Sequence, residues 1–433
     1  MNQPISVCWF RRDLRLNDHT ALYHALHSGL PVLAVFMFDT DILNGLKDPS
    51  DRRVSFIWYH LQQMNKQLKK QHSAIKLYHG KPSEIWKEIL NTHKVAEVYW
   101  NEDYEPYGIK RDAEIKKILE NAGITVKTYK DHVIFSPPEI LKKDGSPFRV
   151  FTPYSRAWKQ HFYLNPLQMN PSGHHLDKLA KNIQSPITSL MDIGFQYQEA
   201  DYSFKLPSAE LLASYHNTRD IIHFEHGTSQ MSSHLRFGTV SVRELVLLAT
   251  STNETYLNEL IWREFFMMIL WHYPHTVDQP FNKKYDQFPW NENRDVFKKW
   301  KEGKTGIPIV DAGMRQLIAT GTMHNRVRMI TANFLTKVLR VWWKKGERHF
   351  ADYLMDFELS SNVGNWQWAA GTGCDASPYF RIFNPFTQQQ KFDPEFAYIK
   401  RWLPEYGTDK YPSPMIDYHS ARKESLEFFK NFL

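Results

Sequence analysis

Asp356-Phe357-Glu358-Leu359-Ser360-Ser361-Asn362-Val363-Gly364-Asn365-Trp366-Gln367-Trp368-Ala369-Ala370-Gly371 crowds two carboxylates, side-chain amides and two indoles into a short stretch. No Cys/His spacing around it suggests a metal, and no Ser or Cys nucleophile stands beside a His. Large rings among hydrogen-bonding groups suit a planar, redox-active ligand better than they suit hydrolysis. If Gly364 to Ala370 is helical, Trp366 and Trp368 lie about 200° apart around the axis. One ring is then expected to face a ligand cavity while the other points away into the protein. The plain alternative is that both are core aromatics.

Working outward, the C-terminal half reads as helical from about residue 208. Tyr256 to Trp271 is a strong helix that sets Glu259, Trp262, Arg263 and Phe266 on one stripe. A carboxylate, an indole and a guanidinium on one face fit a buried site; a solvated salt-bridge face would not carry Trp262 and Phe266. A helix is expected to open at Asp311-Ala312-Gly313-Met314-Arg315. Another is expected over Met323–Arg340, with Asn325, Arg328 and Met329 on one stripe.

Residues 1 to 135 alternate strand and helix. Apolar runs at Ile5–Phe10, Val32–Phe38, Ile75–Tyr78, Val95–Trp100 and Thr125–Tyr129 read as strands. Helical stretches at His19–His27, Arg52–Gln71, Pro82–Asn91 and Tyr107–Asn121 separate them. This order implies a five-stranded parallel sheet, Rossmann-like, with helices on both faces. No G-x-G-x-x-G follows the first strand, which excludes an ordinary dinucleotide site there. The strand instead runs into Arg11-Arg12-Asp13-Leu14-Arg15-Leu16-Asn17-Asp18, read as a structural ion-pair knot in preference to a ligand contact. Residues 136 to 205, with Pro137-Pro138 and a mixed polar stretch, read as an interdomain connection of irregular structure. The expected division is 1–135, 136–205 and 206–433.

Composition bounds the rest. With 433 residues, 42% hydrophobic and 15% aromatic, the chain is globular and too long for one core. Cys8 and Cys374 make no disulfide framework. The N-terminus lacks a basic n-region and a long apolar segment, and no apolar run is long enough to span a bilayer. A soluble cytoplasmic protein is expected. A formal charge of +7 leans toward a polyanionic partner.

Four motifs now matter together: Trp9-Phe10-Arg11-Arg12-Asp13-Leu14-Arg15, Trp262-Arg263-Glu264-Phe265, Met323-His324-Asn325-Arg326-Val327-Arg328-Met329 and Asn365-Trp366-Gln367-Trp368-Ala369. In order and spacing the chain resembles the photolyase/cryptochrome flavoproteins, over residues 5 to about 406. The third motif is most similar to the class I cyclobutane pyrimidine dimer photolyases; the second histidine typical near Asn325 in (6-4) photolyases is absent.

The resemblance implies an α/β antenna domain and a larger all-α C-terminal domain that binds FAD and DNA. It implies a deoxyribodipyrimidine photo-lyase, a monomer whose partner is DNA containing cyclobutane pyrimidine dimers, split by electron transfer from photoexcited FADH⁻. By resemblance the FAD is held by Tyr215, Thr228, Ser229, Gln230, Met231, Ser232, Arg263, Arg328, Asp356, Glu358 and Asn362, with Asn362 facing flavin N5. Glu259, Asn325, Met329 and Asn362 serve catalysis, while Glu259, Trp262, Asn325, Arg326 and Trp368 meet the damaged DNA. Trp366, Trp343 and Trp290 match the family's electron chain, with Trp368 facing the lesion and Trp366 facing away. A second antenna chromophore, folate or deazaflavin, is also implied, although Tyr107-Gly108 replaces an Asn-Glu pair that contacts folate in some relatives. Gln230 and Ser233 stand where many relatives have Arg and Pro, and Thr322 where an aromatic is common. The alternative is a cryptochrome photoreceptor without repair activity; a flavoprotein that binds nucleic acid without photochemistry is a third reading.

Overall fold

The computed structural model describes residues 3–432. Five strands form one sheet: β1 Ile5–Phe10, β2 Val32–Asp39, β3 Lys76–Gly80, β4 Val95–Asn101 and β5 Thr125–Tyr129. Their order is β3-β2-β1-β4-β5, and every pairing is parallel. Strands buried on both faces need continuous apolar runs, and β1 and β2 are buried at every position. One face packs Val7, Trp9, Val35 and Val98 against Ile85, Trp86 and Ile89 of the Pro82–Thr92 helix and Ile115 and Leu119 of the Pro106–Asn121 helix. Trp9 meets Trp86 and Trp100 edge-on at 5.8 and 5.7 Å.

The arginines after β1 form the expected knot. Arg11 pairs with Asp112 at 2.5 Å and Arg12 with Asp103 at 3.1 Å. Deeper in, Asp131 Oδ2 takes Arg15 at 2.6 Å while its Oδ1 takes Arg243 at 2.8 Å and the Thr20 hydroxyl at 2.8 Å. Burial works against the Asp131 carboxylate, but Arg15 and Arg243 hold it well below the usual range.

The rest of the chain is helical, and among the described residues no helix is long and apolar enough to cross a membrane. The chain forms two compact units that do not follow its linear order. One combines Met1–Glu139, Trp158–Leu206 and Met231–Leu248; the other combines Ile140–Ala157, Pro207–Gln230 and Ala249–Leu433.

Three local expectations need correction. The stretch 136–205 is not irregular throughout, because Phe151–Leu164 is a helix of 14 residues. Its proline, Pro153, sits in the first turn, where no intrahelical N–H partner is lost. The helix expected to open at Asp311 starts at Pro308. The single helix expected over Met323–Arg340 is capped by His324, whose Nδ1 accepts from Arg326 N, and runs Asn325–Asn333. It then widens to a π turn over Phe334–Val338, with Leu339 N donating to Phe334 O, and ends where Arg340 turns left-handed at φ 56°.

Candidate flavin and lesion site

Two helical stripes build a cleft with a cavity volume of about 100 Å³, open to solvent at its mouth. The Asn325–Asn333 helix contributes Asn325, Arg328, Met329 and Ala332, spaced i, i+3, i+4, i+7. The Leu359–Ala370 helix contributes Ser361, Asn362, Asn365 and Ala369, and its N-cap Glu358 and the preceding Asp356 close one end. Gly371 stops that helix at φ +86°, where its N–H reaches Gln367 O at 3.0 Å.

Trp366 and Trp368 both border this cleft, from opposite sides of their helix, and Trp366 is the one whose ring runs on into the core. At about 100° per residue, both lie about 80° from the Glu358–Asn362–Asn365–Ala369 stripe, on opposite sides of it. The two indoles are therefore side walls, and the amides lie between them. Trp366 is buried, with its ring edge-on to Phe350 at 4.9 Å and to Trp300 at 6.0 Å. Its six-membered ring lies against Gly346, where a Cβ would overlap it.

Charge in the cleft is arranged in pairs. Arg328 Nη2 meets Asp356 Oδ2 at 2.8 Å and its Nε donates to Met323 O at 2.7 Å. Asp356 Oδ1 is buried and has no protein partner among the described residues. Glu358 is buried and takes Arg263 at 3.1 Å, which ties the Glu254–His272 helix to the back of the cleft. Asn362 Nδ2 donates to Glu347 O at 3.1 Å and to Glu347 Oε1 at 2.8 Å.

Other residues singled out from the sequence lie off these walls. Glu259 is paired with Arg219, and its surroundings push its carboxyl pKa up by burial, with Arg219 opposing. Trp262 carries the ring of Phe151 flat against one face, at 3.7 Å and 5°. Arg326 makes a bidentate pair with Asp220 and lies over the Phe392 ring. Tyr215 is buried edge-on to Tyr256 at 5.1 Å. Thr228 is extended, and two residues on, Gln230 turns left-handed at φ 54°. Met231 and Ser232 fall in the other compact unit, at the start of the short Ser232–Phe237 helix. Trp343 is fully buried at the start of the Trp343–Tyr353 helix, where its ring meets Trp342 at 6.5 Å, and Trp290 packs on Phe288 at 4.5 Å.

Sequence reading missed Glu347, Lys344, Arg219 and Phe151. The first two sit 15 and 18 positions before Asn362 on another helix, and Phe151 lies in a stretch read as connection. No local pattern links either to the cleft.

A family description, "DNA photolyase", matches residues 6–172, and "FAD binding domain of DNA photolyase" matches residues 256–408. A deoxyribodipyrimidine photo-lyase of Synechococcus is 33% identical over 479 aligned positions, covering 100% of this chain and 97% of that one.

The chain belongs to the DNA photolyase family.

Solved structures agree with that membership. A bacterial class III photolyase from Agrobacterium tumefaciens superposes with a TM-score of 0.87 at 30% identity, covering 100% of this chain and 98% of that one. A Synechocystis cryptochrome superposes at 0.83 with 26% identity, covering 98% and 99%. The cleft residues fit the cofactor of a photolyase FAD domain. Asp356 Oδ1 is an acceptor without a donor among the described residues, beside a guanidinium, an amide and two indole walls, and a flavin ring offers both donors and acceptors along one edge.

Proposed function

We propose that this photolyase is a light-driven lyase that splits cyclobutane pyrimidine dimers in DNA, with the flavin ring in the Asp356–Asn362 cleft. The observation that carries the reading is the half-satisfied Asp356. One oxygen is spent on Arg328, and the other, buried on the cleft wall with no partner among the described residues, is placed to accept from a ligand.

FAD, when bound, supplies light absorption and the transferable electron; the chain binds, orients and excludes water. In this reading Arg328 and Asp356 grip one edge of the ring, Asn362 meets N5, and Glu358 and Arg263 hold the wall behind. Tyr215 and Thr228 to Ser232 serve the rest of the cofactor. Photolyases take their target bases out of the DNA stack. The lesion is received by Asn325, Met329 and Trp368, with Glu259, Trp262 and Arg326 as further contacts, and Trp366, Trp343 and Trp290 carry electrons inward. The Phe151–Trp262 stack adds an aromatic surface, and stacking is worth about 1–3 kcal/mol per base. The same reading takes the protein as a cytoplasmic monomer, in keeping with two buried free thiols. It includes a folate or deazaflavin antenna.

The rival reading is a photoreceptor without repair, favoured by the likeness to the Synechocystis cryptochrome. Purified protein, reductant and blue light should restore a dimer-containing oligonucleotide. Bound flavin with no repair decides for the photoreceptor. Trp262→Ala should weaken binding of damaged DNA about tenfold or more while the flavin spectrum stays unchanged. Loss of both would place Trp262 in the wrong pocket.

A further inference from the structure

Phe151 covers one face of Trp262, and its backbone is tied to the loop that follows the other proposed lesion wall, Trp368. The Phe151 ring lies flat on Trp262 at 3.7 Å and 5°. Phe265 stands edge-on to both, 5.9 Å from Phe151 and 5.5 Å from Trp262. Phe266 approaches Trp262 at 5.4 Å with the planes tilted by 31°. Phe265 and Phe266 are buried, whereas Trp262 and Phe151 are half-buried, so the flat stack is the part of this aromatic cluster that reaches the surface.

Two hydrogen bonds hold Phe151 there. Its N–H, unpaired within the helix it opens, donates to Asp375 Oδ2 at 3.0 Å. The Cys374 thiol donates to Arg149 O at 2.8 Å. Burial, with Asp375 adding to it, pushes that thiol up to about 12, so it remains an S–H donor. The loop that supplies both partners is itself fixed. Ser377 N donates to Trp368 O at 3.1 Å, and the buried Lys337 ammonium group donates to Ser377 O at 3.1 Å and Pro378 O at 2.8 Å. All of these residues belong to one compact unit.

An indole projecting from a helix turns about two side-chain bonds, and a wall that turns must be stilled each time a base rests on it. A ring clamped on one face has already lost that freedom, and only its uncovered side is left for a base. We propose that Phe151 is a positioning residue for the damaged base: it braces Trp262 from behind, and the Asp375 bond keeps that brace in register with Trp368. The inference rests on the reading above that Trp262 and Trp368 meet the lesion.

The test uses the flavin-loaded full chain and compares Kd for a dimer-containing oligonucleotide with Kd for the same oligonucleotide undamaged. Phe151→Ala should weaken binding of the damaged strand about fivefold, the cost of one freed side chain, and leave the undamaged strand and the flavin absorbance unchanged. Phe151→Tyr keeps the flat ring and should restore the parent ratio. Asp375 is left-handed at φ 50°, a conformation that Asn and Gly both accept. Asp375→Asn keeps an acceptor for Phe151 and should bind as the parent does. Asp375→Gly removes the acceptor and should weaken damaged-strand binding about twofold.

Phe151→Ala binding the damaged strand as tightly as the parent, or tighter, overturns the proposal; the tighter result makes Phe151 a plug in place of a brace. An equal loss for damaged and undamaged strands overturns it too, since loss of a residue that only stabilises the fold produces that pattern. Should Phe151→Ala fail to fold, the Asp375 pair decides, and Gly and Asn variants that bind alike overturn the brace. If Trp262→Ala leaves damaged-strand binding intact, the reading of Trp262 as a lesion wall fails first and the proposal goes with it.

Discussion

Asp131 in the sheet unit and Asp356 in the helical unit are both acidic groups held by arginine, and they differ in what is left over. Asp131 spends Oδ2 on Arg15 and Oδ1 on Arg243, the Thr20 hydroxyl and the Thr20 N–H. Asp356 spends Oδ2 on Arg328 and keeps Oδ1 buried without a donor among the described residues. A network that closes on itself stabilises one arrangement of the chain and has nothing to offer a ligand. A network with one open valence is incomplete until something binds. The arginine-rich run after β1 and the arginine in the cleft look alike as sequence; the open oxygen separates a structural knot from a site.

The largest test of this difference is Asp131→Asn. It leaves Arg15 and Arg243 buried beside a neutral amide and should cost about 3–5 kcal/mol, read from the urea midpoint. Gly346→Ala follows at about 1–3 kcal/mol, because a methyl group there strikes the Trp366 ring. Its unfolding midpoint and its flavin absorbance should both fall, whereas an alanine that left the absorbance intact would detach Trp366 from the cofactor.

Acid should act on the sheet unit next. Burial pushes His132 down to about 3, with Arg12 adding to it, and burial pushes His60 and His234 down to about 4. Each binds fewer protons folded than unfolded, so its contribution is complete above about pH 6.5 and drains away as pH falls toward the folded value. The slope is at most about 1.4 kcal/mol per pH unit for each buried histidine. Thermal melts from pH 7 to pH 4 should show the decline, and a flat profile would mean that these rings are hydrated in the native state.

The smallest expected change in stability belongs to Asp356→Asn, less than about 1 kcal/mol, since one of its oxygens has no partner among the described residues and Arg328 is partly exposed to solvent. Its effect should instead appear as flavin lost on gel filtration. Equal stability losses at Asp131 and Asp356 would erase the contrast between the two networks.

Much of the fold is written locally. Strands β1 and β5 begin and end where their apolar and β-branched runs do, and the helices between them end near Gly29 and Gly123, both left-handed. The Asn325, Arg328 and Met329 stripe follows from helical period alone, and Ala332 extends it in the cleft. Local signals failed where the backbone departs from a regular helix or where one helix sits behind another. The π turn at Phe334–Val338 surrounds Lys337, whose ammonium group is buried and donates to Ser377 O at 3.1 Å and Pro378 O at 2.8 Å. Nothing between Met323 and Arg340 announces those partners.

By itself the sequence determined the alternation of strand and helix, the residue types of the cleft and the family to which they belong, because period and composition act over a few neighbours at a time. Tertiary structure alone decided that Trp366 and Trp368 share a cleft, that Phe151 covers Trp262, and that Asn362 donates to Glu347. Those outcomes depend on which faces of separate helices meet, and that is settled by packing between segments far apart in the chain.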